Sequence, residues 1–297
     1  KLMVDKVNPE VAKGNAVAAA AAAMDFSTYQ AGTLVKCPVC EKKVTWEAIN
    51  GMGKAIVDGG HYYVNKDITG DGIFLTVSGK KVCVHLNGKT LTYGARIFAT
   101  SASTANPGTL NLMGSGTVSS SNTHADYGTG TIHASSAGII NLYGGTYKNN
   151  NDSYYPAGPV ISIGNVGGNI NIHEDVTLNR PGRQAIYVGE LKNKGNANLG
   201  IYGAEITGNV TIKAPAAYDE AAGTGGKTST TNLENATIHG TVTVETDERT
   251  TVNLKGGIVI DQLAINQGAP LTLDNLTENS SVKVTADGAF AKESEGA

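Results

Sequence analysis

Cysteine, charge and long apolar runs are all scarce in this chain of 297 residues, and each scarcity closes a route. Three cysteines are too few for a disulfide framework, and so low a count is compatible with an exported bacterial protein. Charged residues make up 16% and the net charge is −3, with Lys and Arg dispersed, so there is no electrostatic footprint for nucleic acid or an anionic membrane. No apolar run approaches the ~20 residues that a bilayer requires. The nearest, residues 16–23, is short and mostly alanine, and no membrane insertion is expected. What the chain has instead is glycine, 38 of them, with abundant Thr, Asn and Val, which favours strands and tight turns over helix. The length allows one or two domains with ample core. A start at Lys1 rather than methionine reads as a mature or excised piece, with any signal peptide already absent.

A short phrase recurs along the chain. It reads Leu110-Asn111-Leu112, Ile140-Asn141-Leu142, Ile170-Asn171-Ile172, Leu199-Gly200-Ile201, Thr231-Asn232-Leu233, Val252-Asn253-Leu254 and Leu271-Thr272-Leu273, with Val84-His85-Leu86 as an upstream copy. Successive copies lie 26, 30, 30, 29, 32, 21 and 19 residues apart. A second series runs in step, from Ile97-Phe98-Ala99 through Ile186-Tyr187-Val188 to Val282-Lys283-Val284, and shorter third strands such as Val176-Thr177-Leu178 follow each copy of the first. Period-2 alternation puts the flanking apolar residues on one face. Three short strands per coil predict an all-β, right-handed parallel β-helix solenoid, capped by a small N-terminal helix and Cys-knuckle. A propeller is excluded, because its ~40-residue blades do not fit a 19-residue repeat. The expected organisation is a cap over 1–60, a parallel β-helix over 61–290 and a tail over 291–297. Loops are inserted at 119–130, 148–158, 189–197 and 214–230.

The cap begins with Asn8-Pro9-Glu10, a helix start with Pro in the first turn, followed by an alanine-rich body that Gly14 weakens. Then comes Cys37-Pro38-Val39-Cys40, a Cys-x-x-Cys knuckle, with Cys83 far downstream. A structural, tetrahedral zinc site would take Cys37, Cys40 and Cys83 with His61 or His85 as the fourth ligand, and would staple the irregular N-terminus to the first coil. The alternatives are a Cys37–Cys40 disulfide with Cys83 free, or three unrelated thiols.

The succession Cys37-Pro38-Val39-Cys40, Val44-Thr45-Trp46, Gly60-His61-Tyr62-Tyr63, Val82-Cys83-Val84-His85-Leu86-Asn87-Gly88, Gly108-Thr109-Leu110-Asn111-Leu112-Met113-Gly114 and Ile140-Asn141-Leu142-Tyr143-Gly144-Gly145-Thr146 resembles the right-handed β-helix (pectin-lyase-like) modules of large surface proteins from anaerobic, gut-type Firmicutes. The resemblance covers about residues 35–290 and is specific over 35–150. It implies an exported, cell-surface location and favours His61 over His85 as the metal ligand. It carries over no catalytic residue.

Enzymatic chemistry on such a scaffold has known requirements. Glycoside hydrolysis needs two carboxylates across the scissile bond, and neither a paired Asp-Asp nor a Gly-His-Gly is present. The nearest lyase-like material is His173-Glu174-Asp175 followed by Arg180-Pro181-Gly182-Arg183, read chiefly as a solvated corner. No catalytic residue is assigned. Outward rows of Asn111, Asn141, Asn171, Asn232 and Asn253, with His85 upstream, and of Met113, Tyr143, His173 and Tyr202 suit either stacking or a bound sugar chain. Tyr143, His173, Tyr202, Arg180 and Arg183 are therefore the candidate ligand-binding residues. The strand edges at the ends of a β-helix recruit other chains unless covered, and residues 285–297 show no clear cap. The native chain then either continues or meets a second copy head to tail, with residues 1–14 reaching into the neighbour. The function expected is a structural or adhesive extracellular module that polymerises through its ends, with a carbohydrate-binding or polysaccharide-degrading β-helix as the alternative. Partners would be further copies, further domains of the same polypeptide, or a glycan.

Overall fold

The computed structural model describes residues 8–94, 96–101, 105–121, 130–151, 158–189, 191, 195–216, 220–221, 223, 226–245, 249–265, 271–274 and 281–286. Of residues 101, 265, 271–274 and 281–286 it describes the backbone alone. The middles of the four expected loops and the 291–297 tail lie outside the described residues.

The chain is mostly strand, with one helix among the described residues, Pro9–Ala22. Two large sheets carry the fold, one of ten strands and one of thirteen. In the ten-stranded sheet the order runs from Glu47–Ile49 through His61–Val64, Lys81–His85, Thr109–Met113, Ile139–Leu142, Gly168–Ile172, Ala197–Tyr202, Ser229–Glu234 and Thr250–Lys255 to Leu271–Asp274. Every neighbouring pair is parallel, so each return of the chain adds one strand. The sheet thus begins at Glu47, ahead of the expected boundary at residue 60.

Register follows the apolar pattern. Leu110 pairs with Ile140, Ile140 with Ile170, Ile170 with Leu199, and Leu112, Leu142, Ile172, Ile201, Leu233 and Leu254 form the neighbouring column. All are buried in one core cluster. A one-residue slip would turn these side chains outward, at about 1.5–3 kcal/mol for each one exposed, so the interior itself fixes the stacking.

The upstream copy sits differently from the expectation. Leu110 and Leu112 pair with Val82 and Val84, so Cys83 rather than His85 stands beside Asn111, and His85 stands beside Met113. Two further residues, Leu86 and Asn87, precede Gly88 at that corner, whereas Gly114 follows Met113 directly. The sheet sets the register and the longer corner absorbs the difference.

The expected third sheet merges with the second. Early on, Thr117–Ser120 and Ile132–Ala134 are separate strands, but from Val176 the two run on as single strands, Val176–Val188, Glu205–Ile212, Thr237–Val244 and Val259–Ile265. What remains of the corner is a break in register, as between Asn179 and Gln184. At the end of the stack Val282 pairs with Ile260 and Val284 with Leu263, so this segment straddles the break instead of repeating Leu263-Ala264-Ile265.

A left-handed residue follows each strand of the ten-stranded sheet from Lys81–His85 to Thr250–Lys255: Asn87, Gly114, Gly145, Asp175, Gly203, Asn235 and Gly256. Gly, Asn and Asp are the residues that adopt this conformation at least cost. At Gly114 a Cβ would also meet the His85 ring at 2.3 Å.

The helix does not cap the end of the stack. It lies along the outer face of the ten-stranded sheet, over the column His85, Met113, Tyr143, His173 and Tyr202. Asn8 caps its first turn and also donates from Nδ2 to Glu234 Oε2 at 3.1 Å, Gly14 meets His173, and His85 Nε2 is 2.8 Å from the Ala21 carbonyl oxygen. Fourteen residues rise about 21 Å, which matches four to five strand spacings of about 4.8 Å. Gly14 is there because a Cβ would lie 1.9 Å from His173 Nδ1. Residues 8–14, expected to reach a neighbouring copy, therefore dock on their own chain.

Candidate metal centre

The knuckle is the tip of an antiparallel hairpin. Val35–Lys36 pairs with Lys43–Val44, Cys37 N donates to the Lys42 carbonyl and Glu41 N to the Cys37 carbonyl. Glu41 takes a left-handed conformation, φ 60°, to close the turn. The tip faces the first strands of the ten-stranded sheet, where His61 and Cys83 are direct partners. Local turn chemistry thus supplies two sulfurs, and sheet register supplies a third sulfur and an imidazole.

Cys37 Sγ lies 3.8 Å from Cys83 Sγ, and Cys40 Sγ lies 3.4 Å from His61 Nε2. The ligand atoms of Cys37, His61 and Cys83 are all within 4.8 Å of one another. Zinc bonds of about 2.3 Å to sulfur and 2.0–2.1 Å to nitrogen, at tetrahedral angles, separate two sulfurs by about 3.8 Å and sulfur from nitrogen by about 3.6 Å. The Cys37–Cys83 and Cys40–His61 distances lie close to those edges. A disulfide needs about 2.05 Å, and all three cysteines are free thiols. Cys37, His61 and Cys83 could together hold a metal ion, and Cys40 stands against His61 at the edge of that group.

The electrostatics suit a cation. Cys37 is held down at about 4, chiefly by its hydrogen-bonded contact with Cys83, with His61 also lowering it. The same contact and burial push Cys83 far above the ordinary thiol range, and burial raises Cys40. One thiolate among clustered thiols is an incomplete arrangement, and a divalent ion would let all three ionise.

His85 has no free nitrogen to offer. Its Nδ1 accepts from Asn87 N at 3.0 Å and its Nε2 is in contact with the Ala21 carbonyl, so it pins the end of the helix. Burial lowers its pKa and keeps it neutral.

Several neighbours of the centre escaped sequence reasoning. Phe26, Tyr29, Trp46 and Tyr63 pack around it, with Phe26 stacked on Tyr63 at 4.7 Å and Trp46 edge-on to His61 at 5.2 Å. Asn111 Nδ2 lies 3.7 Å from Cys83 Sγ. The matching phrases Cys83-Val84-His85 and Asn111-Leu112-Met113 carried that signal, but only under the two-residue shift that the sheet imposes.

The remaining candidates are not gathered into one place. Tyr143 and His173 stack at 4.6 Å and Tyr202 follows at 5.5 Å, but all three are buried beneath the helix, so the expected open platform for a sugar is filled by the chain itself. Burial, with Lys13 nearby, takes His173 down to about 4. The His173–Arg183 corner is divided. His173 and Glu174 flank the turn into the long strand Val176–Val188, whereas Arg180 is buried within that strand and donates from Nη1 to the Gly158 carbonyl at 2.6 Å. Arg180 shares the inward side of Val176 and Leu178, next to the register break that follows Asn179, and is held there by Gly158.

Protein-family models, curated proteins and solved structures gave no match to the chain.

Proposed function

We propose that the two sheets are faces of one right-handed parallel β-helix, that a structural zinc ion on Cys37, Cys40, His61 and Cys83 staples its N-terminal segment to the first turns, and that the chain serves as a structural or adhesive module at a bacterial cell surface. The closed donor set carries this reading. Three sulfurs and one imidazole fill a tetrahedral ion and leave it no position for a substrate. The orderly return of the chain to each sheet supports the solenoid, and crossover chirality supports the hand. The surface location rests on the likeness to pectin-lyase-like surface modules in the residues quoted above. Among the described residues no helix is long and apolar enough to cross a membrane.

End-to-end assembly draws support from the first strands. Met52, Val57 and Ile73 are exposed on the connections beside the edge strand Glu47–Ile49, and a strand edge flanked by apolar side chains favours a second chain. A head-to-tail contact with the far end of another copy would be heterologous and would propagate as a fibre. A carbohydrate reading has less support, because its aromatic column is covered and Arg180 is engaged with a backbone carbonyl.

The test is metal analysis and negative-stain imaging of chain purified without chelators, at rising concentration. About one zinc per chain and fibres that shorten in Met52→Lys/Ile73→Lys are expected. Less than about half a zinc per chain, with Cys37 and Cys40 oxidised to each other, would remove the staple. Turnover of a uronic-acid polymer that disappears in Arg183→Ala would overturn the non-enzymatic reading.

A further inference from the structure

One column of the ten-stranded sheet runs directly out of the metal centre. His61, Cys83, Asn111, Asn141 and Asn171 are successive register partners. Asn171 Nδ2 donates to Asn141 Oδ1 at 2.9 Å, and Asn141 Nδ2 donates to Asn111 Oδ1 at 2.8 Å. Asn111 Nδ2 in turn faces the Val82 carbonyl at 3.4 Å and Cys83 Sγ at 3.7 Å. The direction of this chain is fixed by chemistry. The Val82 carbonyl accepts only from an N–H, so the amino side of Asn111 must face the earlier strand, and its oxygen is left for Asn141. Three amide dipoles therefore line up with their positive ends toward one sulfur.

We infer that Asn111, backed in series by Asn141 and Asn171, is an outer-sphere positioning group that donates an N–H to the metal-bound sulfur of Cys83 and tightens the hold on the ion. The inference rests on the metal reading given above. An N–H bond to a thiolate draws charge from sulfur, fixes its direction and is strengthened by the amides behind it. Outer partners of this kind are worth about 10–100-fold in metal affinity. Asn111 is buried, so water does not replace its N–H readily.

Cobalt(II) is the probe, because its sulfur-to-metal charge-transfer band reports the electron density on the ligand sulfurs. Asn111→Leu keeps the size and removes the N–H. It should move that band to lower energy and weaken zinc, measured by competition with a chromophoric chelator, by about tenfold or more. Asn141→Leu should do the same to a smaller degree, and it decides the matter if Asn111→Leu does not fold. Asn253→Leu is the control. Asn253 donates to Asn232 at 2.7 Å in an equivalent pair remote from the metal, so its loss should leave band and affinity unchanged.

An unchanged band and affinity in the Asn111 variant, with cobalt bound normally by the parent chain, would overturn the inference and spare the metal reading. Equal shifts in the Asn111 and Asn253 variants would overturn it too, by showing a general effect of stacking. A parent chain with no charge-transfer band would remove the metal reading and this inference with it.

Discussion

Leu142 and Leu233 occupy the same inward column of the same sheet, three strands apart, and both are buried. Around Leu142 the outer face is a second packed layer: Tyr143 stacks on His173, the helix lies over both, and the hairpin with Cys37 and Cys40 closes the layer toward the first strands. Around Leu233 the outer face is a polar surface of half-buried Thr230, Asn232, Thr251 and Asn253. The interior differs as well. Ser229, Thr231 and Thr250 are buried there with hydroxyls that have no hydrogen-bond partner among the described residues. One strand phrase thus builds both regions, but the early strands are clamped from outside while the later ones carry no such layer among the described residues and bury three unpaired hydroxyls.

The strongest way to break the contrast is to remove the clamp. Cys83→Ser takes one of the four proposed ligands, and zinc content is expected to fall from about one per chain to near none. Hydrogen exchange should then accelerate across residues 35–64 and over the helix, while amides of Ser229–Glu234 and Thr250–Lys255 keep their protection. Equal loss of protection in both regions would show that the clamp and the later strands form one cooperative unit.

Acid should open the same region next. His85, His133 and His173 are all buried and all have lowered pKa values, whereas the later His239 is exposed. His173 falls from 6.5 to about 4, first through burial and then through Lys13. Between those values the unfolded chain binds a proton that the folded chain refuses. The stabilisation is complete above pH 6.5 and is lost as the pH falls toward 4, at about 1.4 kcal/mol per pH unit for one histidine. Urea unfolding at pH 7, 6 and 5 should show this slope, and His173→Phe should reduce it by one proton. An unaltered slope would mean that His173 is not held neutral in the fold.

Gly14 offers a smaller test in which two effects oppose. Gly14→Ala improves intrinsic helix propensity by about 1 kcal/mol. The new methyl must displace the His173 ring from a site it already fills, which costs about 1–3 kcal/mol. The sign is expected to favour the clash, with faster proteolysis within residues 9–22. A slower cut would mean that the helix does not press on His173.

How much of this could be read beforehand follows the same divide. The inward columns were legible because apolar-x-apolar at coil spacing has one efficient burial, and the abundance of glycine announced tight turns between them. Cys37 and Cys83 were legible as members of a group that could hold a metal ion, with His61 or His85 beside them, and the sheet register brings His61 and not His85 to the sulfurs. The position of the helix was not. Its alanines and Gly14 read as a weak helix, and nothing local says that a missing side chain at residue 14 is the notch for an imidazole at 173. The two-residue shift that put Asn111 beside Cys83 was equally hidden, since Val84-His85-Leu86 and Val82-Cys83-Val84 satisfy the same template and only the neighbouring strand chooses between them. Long-range contacts on the outer face decide both, and the repeat has no bearing on them.

The interior of the later strands yields the mildest and cleanest test. Thr231 takes the inward position that Leu199 and Val252 fill on either side, and its hydroxyl is buried without a partner among the described residues. Thr231→Val keeps the β-branched shape and strand preference while removing one unpaired polar group, so the chain should gain about 1 kcal/mol in urea unfolding. The same exchange at Thr230, half-buried on the outer face of the same strand, should change stability by less than about 0.5 kcal/mol. A gain at Thr231 alone would locate the weakness of this region inside the stack. A loss at Thr231 would mean that its hydroxyl is satisfied in solution, and the difference between the two regions would then lie in the outer layer alone.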